Sequence, residues 1–197
     1  MTRRHPALAV VFGLCTALSA CRTTEAPPAG AGTRGDDASV FALDVGMVDQ
    51  NGTRVRLADL AGHPTILTMG YTNCRSICPS VIEDMKAIER RLGTRRPDVR
   101  FVMLTLDPAR DSPEALRRFA SERHLDPARW RLLAASEDDV RDLAAVLGVR
   151  YAPAASNEIV HSSLIVAVDA RGVVRHRQVG LGQDMQPLLD AIGVAEH

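Results

Sequence analysis

The sequence predicts an α/β layered fold with parallel central strands. Two observations carry that prediction. Short apolar runs of strand length alternate along the chain with amphipathic stretches of helical period. Residues 39–197 also have the length of one ordinary domain that can bury its own core without staples. No internal repeat interrupts this pattern.

The elements follow in order. Val40 to Val48, the Asn51-Gly52 turn signal and Thr53 to Leu57 read as an N-terminal hairpin, because Asn-Gly suits a tight turn between two strands. Pro64 to Gly70 is long enough for a buried strand and too short for a helix. Pro79 to Leu92 places Val81, Met85, Ile88 and Leu92 on one helical face. Val99 to Leu106 is the next strand, and a capping residue before Pro113 starts a second helix. Arg131 to Ala135 is a brief strand; Ser136 to Leu147 is a helix opened by Ser136 and acidic residues and closed by Gly148. Ser163 to Val168, the turn Asp169 to Gly172 and Val173 to Val179 make a second hairpin, and Gln183 to Ile192 a final helix.

The first residues read as an export signal. Arg3 and Arg4 precede the apolar stretch Ala7 to Ala20, which is shorter than the ~20 residues a spanning helix needs. Leu18, Ser19, Ala20 and Cys21 resemble the bacterial lipobox, so residues 1–20 are expected to be a lipoprotein-type signal and Cys21 the lipidated new N-terminus. Ordinary cleavage near Ala20 or an uncleaved anchor is the alternative. Residues 21–38 are rich in Pro, Gly, Ala and Thr and read as a flexible tether, leaving 39–197 as the folded domain. Loss of residues 1–20 removes two arginines and no acid, leaving 22 basic against 24 acidic side chains. That balance gives no sign of a nucleic-acid partner or of an anionic membrane face.

Of the four cysteines, Cys15 and Cys21 belong to the export segment, so Cys74 and Cys78 are the thiol pair of the domain, available for a disulfide, a metal or both. Proline is tolerated at a first helical position and the residue before it avoids helical angles. Pro79 is therefore expected to begin the helix, with Cys74 to Cys78 in the loop before it. Unpaired N–H groups and the positive dipole end there favour thiolate, and Arg75 adds a positive charge. A pair of inert buried cysteines is the plain alternative.

Gly70-Tyr71-Thr72-Asn73-Cys74-Arg75-Ser76-Ile77-Cys78-Pro79 resembles the signature of the Sco/SenC family of copper-delivery proteins. Leu106 to Pro113 resembles that family's aspartate-proline loop. His161-Ser162-Ser163, followed by Val168 to Gly172, resembles its histidine with the strand and turn after it. The likeness covers residues from about 40 to 190. It implies a thioredoxin-like fold, a central mixed sheet flanked by helices with the Asn51-Gly52 hairpin as an N-terminal extension. It also implies a lipoprotein or membrane tether, and copper held by Cys74, Cys78 and His161. Arg75 stands where many members have proline, and Val160 where many have aspartate.

The donor chemistry agrees with the resemblance. Two soft thiolates and one imidazole suit Cu(I), and a mixed N,S set can also hold Cu(II). Zinc normally wants a fourth ligand or a water, and blue-copper sites use two histidines and one cysteine. The imidazole is the part that position alone leaves open, since six histidines compete. His161 is read as lying in a loop before a strand, and the resemblance selects it. Met69, Met85 and Met103 read as core packing rather than copper donors, and Tyr71 as a packing residue. Asp111 is expected to cap a helix. Asp107 is expected to support the site from behind its ligands, to face a partner, or simply to form the turn.

The leading expectation is a membrane-tethered copper metallochaperone. By resemblance it serves the dinuclear copper centre of cytochrome c oxidase, with subunit II as recipient, on the periplasmic or extracytoplasmic side. It would not be an enzyme in the turnover sense, and without metal the two thiols would close into a disulfide. The alternative is a thiol-disulfide oxidoreductase that reduces cysteines of a metal-receiving partner with Cys74 and Cys78; dedicated reductases of this fold usually carry CxxC, one residue shorter. A peroxidase is a third, more remote reading.

Overall fold

A computed structural model describes residues 38–154 and 158–193. The expected signal 1–20 and all of the tether except Ala38, including Cys21, lie outside the described residues. No helix among the described residues is long and apolar enough to cross a membrane.

The N-terminal hairpin forms from β1 (Gly46–Asp49) and β2 (Arg54–Arg56), but the stretch before it is not strand. Val40–Ala42 is a single 3-10 turn capped by Ser39, which buries Val40 and Phe41 against the core. Its Val40 N–H donates to the Gly172 carbonyl at 2.8 Å, so a distant loop takes the groups a ladder would have taken. Asp49 is buried and organises the hairpin turn: its carboxylate accepts from Asn51 N–H and Thr53 N–H and pairs with Arg131.

The central strands are β3 (Thr65–Gly70), β4 (Arg100–Thr105) and β5 (Trp130–Ala134), followed by β8 (Leu164–Val168) and β9 (Val174–Val179). They join the hairpin in a seven-stranded sheet of order β2-β1-β5-β4-β3-β8-β9. The pairs β3–β4 and β4–β5 are parallel, and every other pair in this sheet is antiparallel. The sheet is therefore mixed, with the predicted parallel centre. Both its faces are covered, which is why the inner strands read as continuous apolar runs rather than as alternation.

The helices divide between the faces. On one side α1 (Cys78–Leu92), α2 (Pro113–Glu122) and α4 (Gln186–Ala191) pack Ile82, Met85, Leu116 and Leu188 over Ile66, Phe101, Met103 and Trp130. On the other, α3 (Glu137–Leu147) and the Val40–Phe41 segment cover Leu67, Met69, Leu104 and Val166. Alternate residues of β3 and β4 go to opposite clusters, as the two-residue period of a strand requires. Met69, Met85 and Met103 are buried in these clusters, as expected for core residues.

Local capping follows the sequence closely. Ser112 and Ser136 accept from Ala115 N–H and Asp139 N–H at the starts of α2 and α3. Gly148 ends α3 at φ 84°, a left-handed conformation that suits glycine. The pair β6 (Tyr151–Pro153) and β7 (Ile159–His161) was not predicted. It is a separate two-stranded sheet, and it carries His161.

Candidate metal centre

The site begins where β3 ends. Gly70 lets the Cys78 sulfur approach the strand: a Cβ at Gly70 would lie 3.1 Å from Cys78 Sγ. Tyr71 then turns the chain, its carbonyl accepting from Cys74 N–H at 3.2 Å. Cys78 is the first residue of α1 rather than the residue before it, with Pro79 second and Ile77 in the capping position. The Cys78 N–H donates to Cys74 Sγ at 3.4 Å. That N–H is one of the unpaired donors of a helix start, and it points at a sulfur.

His161 is the last residue of β7, not a loop residue. The short pairing Tyr151↔His161, Ala152↔Val160 and Pro153↔Ile159 was masked in the sequence by Pro153, which argues against a strand. Within this hairpin the imidazole Nε2 lies 3.2 Å from Cys78 Sγ. Its Nδ1 lies 3.1 Å from the Ser162 carbonyl oxygen. A carbonyl only accepts, so Nδ1 carries the hydrogen and Nε2 turns its lone pair to the sulfurs. One donor atom from each of Cys74, Cys78 and His161 falls within 4.8 Å of the others, the three residues being 3%, 3% and 9% exposed.

These separations fit a bound ion. With metal–sulfur bonds of about 2.3 Å and metal–nitrogen bonds of about 2.0 Å, donors stand roughly 3.5–4.6 Å apart, so the 3.2 Å contact opens slightly to admit the ion. The donor types select a soft ion: two sulfurs and one imidazole match Cu(I) and, with a change of geometry, Cu(II).

The two sulfurs, both free thiols, are electrostatically unequal. Burial opposes ionising Cys74, but hydrogen bonds from the Cys78 side chain and N–H, with a smaller one from Ser76 N–H, outweigh it and lower that thiol to about 6. Burial pushes the Cys78 thiol far above the ordinary range, and its hydrogen bond to Cys74 and the charge there add to the rise. At neutral pH, Cys74 is the thiolate and Cys78 the thiol. The thiolate absorbance of the reduced metal-free protein should therefore rise in one step with a midpoint of about 6. The step should vanish in Cys74→Ser. Two equal steps near the ordinary cysteine value of about 8.5 would contradict the asymmetry.

Asp111 does not cap α2; Ser112 does. Asp111 is 1% exposed, and its carboxylate accepts from Thr72 N–H, from the Thr72 hydroxyl and from the Thr105 hydroxyl. It therefore ties the residue two before Cys74 to the end of β4. Nothing in the sequence marks that bond, which spans 39 positions.

Asp107 is placed as a turn former. Its carbonyl accepts from Arg110 N–H and Asp111 N–H, and its carboxylate pairs with Arg110. It lines an open cavity of about 780 Å³ with Val140, Tyr151 and Ile159, and it is not one of the three converging donors. Tyr71 does more than pack: its hydroxyl accepts from Ile159 N–H at 3.1 Å, and its ring meets the His161 ring edge-on at 6.0 Å. Arg75 and Val160 are both exposed beside the site, Val160 at 64%.

The sequence profile of the SCO1/SenC family matches residues 35–191. The chain belongs to the SCO1/SenC family. An SCO2-like protein of Rickettsia conorii is 29% identical over 171 residues, which cover 84% of this chain and 82% of the relative. Among solved structures, an SCO1/SenC family lipoprotein from Bacillus anthracis aligns at a TM-score of 0.68 with 22% identity, covering 75% of this chain and 92% of that one. Arabidopsis thaliana ScoI with copper bound aligns at 0.66 with 22% identity, covering 76% of this chain and 94% of that one. This SCO1/SenC chain thus has the thioredoxin-like fold of its family. The β3–α1 junction supplies both thiols, and a separate hairpin supplies the imidazole.

Proposed function

We propose that the protein is a membrane-tethered copper metallochaperone that helps assemble the dinuclear copper centre of cytochrome c oxidase, with subunit II as recipient. The observation that carries this reading is the convergence of Cys74, Cys78 and His161, one soft donor atom each, within 4.8 Å. Copper is the cargo. Three ligands fit delivery because a coordination position is left for an incoming donor, whereas a closed four-ligand site holds its metal. The copper-bound relative and the lipoprotein relative support the cargo and the tether respectively. The basic start, apolar stretch and lipobox-like Leu18 to Cys21 support lipidation of Cys21 and a domain held outside the cytoplasm. When copper is absent, the two sulfurs close into a disulfide by giving two electrons to an external oxidant, with loss of the one thiol proton that Cys78 still carries at neutral pH.

Titration of the reduced protein with Cu(I) against a competing chelator tests the reading. One ion per domain should bind, and His161→Ala should weaken binding by at least about tenfold. Binding by His161→Ala that equals the wild type would overturn the site.

The unequal thiols favour a second reading, a thiol-disulfide oxidoreductase acting on a metal-receiving partner. A low-lying thiolate beside a protonated neighbour is the pair an exchange reaction uses: Cys74 attacks a partner disulfide, and Cys78 resolves the mixed disulfide. Rapid reduction of insulin disulfides by His161→Ala, with copper binding unchanged, would select this reading over the first.

A further inference from the structure

Tyr71 links the thiol segment to the histidine. Its carbonyl accepts from Cys74 N–H at 3.2 Å. Its ring stands edge-on to the imidazole, with the planes 71° apart. Its hydroxyl accepts from Ile159 N–H, two residues before His161 and 88 positions from Tyr71 itself.

The last contact matters because of where His161 sits. Among the described residues, the hairpin β6–β7 pairs with no strand of the seven-stranded sheet. It rests on Ile159 and Tyr151, which are only partly buried against the core, and on exchanges between Arg150 and Ser162 at its own base. The Tyr71 hydroxyl bonds that hairpin to the segment bearing the thiols. A partly buried N–H left without its acceptor is unfavourable, so removing the hydroxyl loosens the hairpin and not the cysteine turn.

We infer that Tyr71 is a positioning residue for the copper ligand His161, its hydroxyl latching the β6–β7 hairpin so that Nε2 stays beside the sulfurs. The inference rests on the copper reading of the site. Because the three donors are buried, passing copper to a partner requires something to move. The hairpin is outside the seven-stranded sheet among the described residues, and the hydroxyl sets how readily it lifts.

Tyr71→Phe tests this, since it keeps the ring and deletes the oxygen. In the reduced metal-free protein, the Ile159 amide should exchange with solvent about threefold to tenfold faster, the scale of one hydrogen bond, while amides of β3 and α1 keep their protection. Copper release to a chelator should speed up by a similar factor in Tyr71→Phe. It should change little when the same substitution is made in His161→Ala, because two residues that act through one another are not additive. Unchanged Ile159 exchange, or an equal acceleration of release in both backgrounds, would overturn the latch. Copper binding indifferent to His161→Ala would instead overturn the parent reading, and the metal-free exchange measurement would still decide whether the latch exists.

Discussion

Replacing Cys78 by serine should cost more than about 100-fold in Cu(I) affinity, because outer partners of a metal site already account for 10- to 100-fold and a direct sulfur ligand exceeds them. The same substitution should change the proton count. In the wild type at pH 7.5, Cys74 is already ionised and Cys78 is not, so the two thiols together release about one proton on loading. Well below pH 6 both carry hydrogen in the metal-free state, and the release rises toward two. Apparent affinity should therefore fall as pH drops, with one thiol proton competing above about 6 and two competing below it. Calorimetric titrations in buffers of different ionisation enthalpy measure this count. A release of two thiol protons at pH 7.5, or affinity retained in Cys78→Ser, would refute the assignment.

The second large effect is on stability. Asp111→Ala removes the acceptor of three donors, the partly buried Thr72 N–H and hydroxyl and the buried Thr105 hydroxyl. Each orphaned donor carries its own desolvation cost, so the substitution should destabilise the reduced protein by roughly 2–4 kcal/mol in denaturant unfolding. A change below about 0.5 kcal/mol, the scale of an ordinary surface substitution, would show that the network is dispensable. The sign of the pH effect follows from burial, which raises the Asp111 carboxyl above its usual range. The folded state then holds this proton more tightly than the unfolded chain, whose carboxyl titrates near 3.9. The stabilisation is fully present below that unfolded value and is lost as pH rises through the folded one. Asp111→Asn should flatten this component of the pH profile while retaining a side-chain oxygen for the two threonines.

The fold was legible where the signal was local. Serine caps before α2 and α3, Gly148 after α3 and the Asn51-Gly52 turn each act within a few residues, and each stands where the sequence put it. The apolar-rich β3 and β4 announced strands covered on both faces. Errors arose where a distant partner overruled a local preference. Val40–Ala42 looked like the start of a strand until Gly172 claimed its backbone, and Cys78, expected just before the helix, is its first residue, with its N–H turned to Cys74 Sγ. Asp111 looked like a cap because its neighbour is one. Its true partner lies across the β3–α1 junction, where periodicity gives no sign of it.

By itself the sequence determined the strand-helix order and the placement of Cys74 and Cys78 at the start of a helix, because strand and helix periods, proline and capping groups act over a turn or two. It also supplied His161 as a candidate through a family likeness. The tertiary structure decided that Cys78 Sγ and His161 Nε2, 83 positions apart, stand 3.2 Å from one another, that the Cys74 thiol is lowered and the Cys78 thiol raised, and that the Tyr71 hydroxyl meets Ile159 N–H in the hairpin that carries His161. Those outcomes depend on strand order, register and burial, which are set by the whole chain closing on its core.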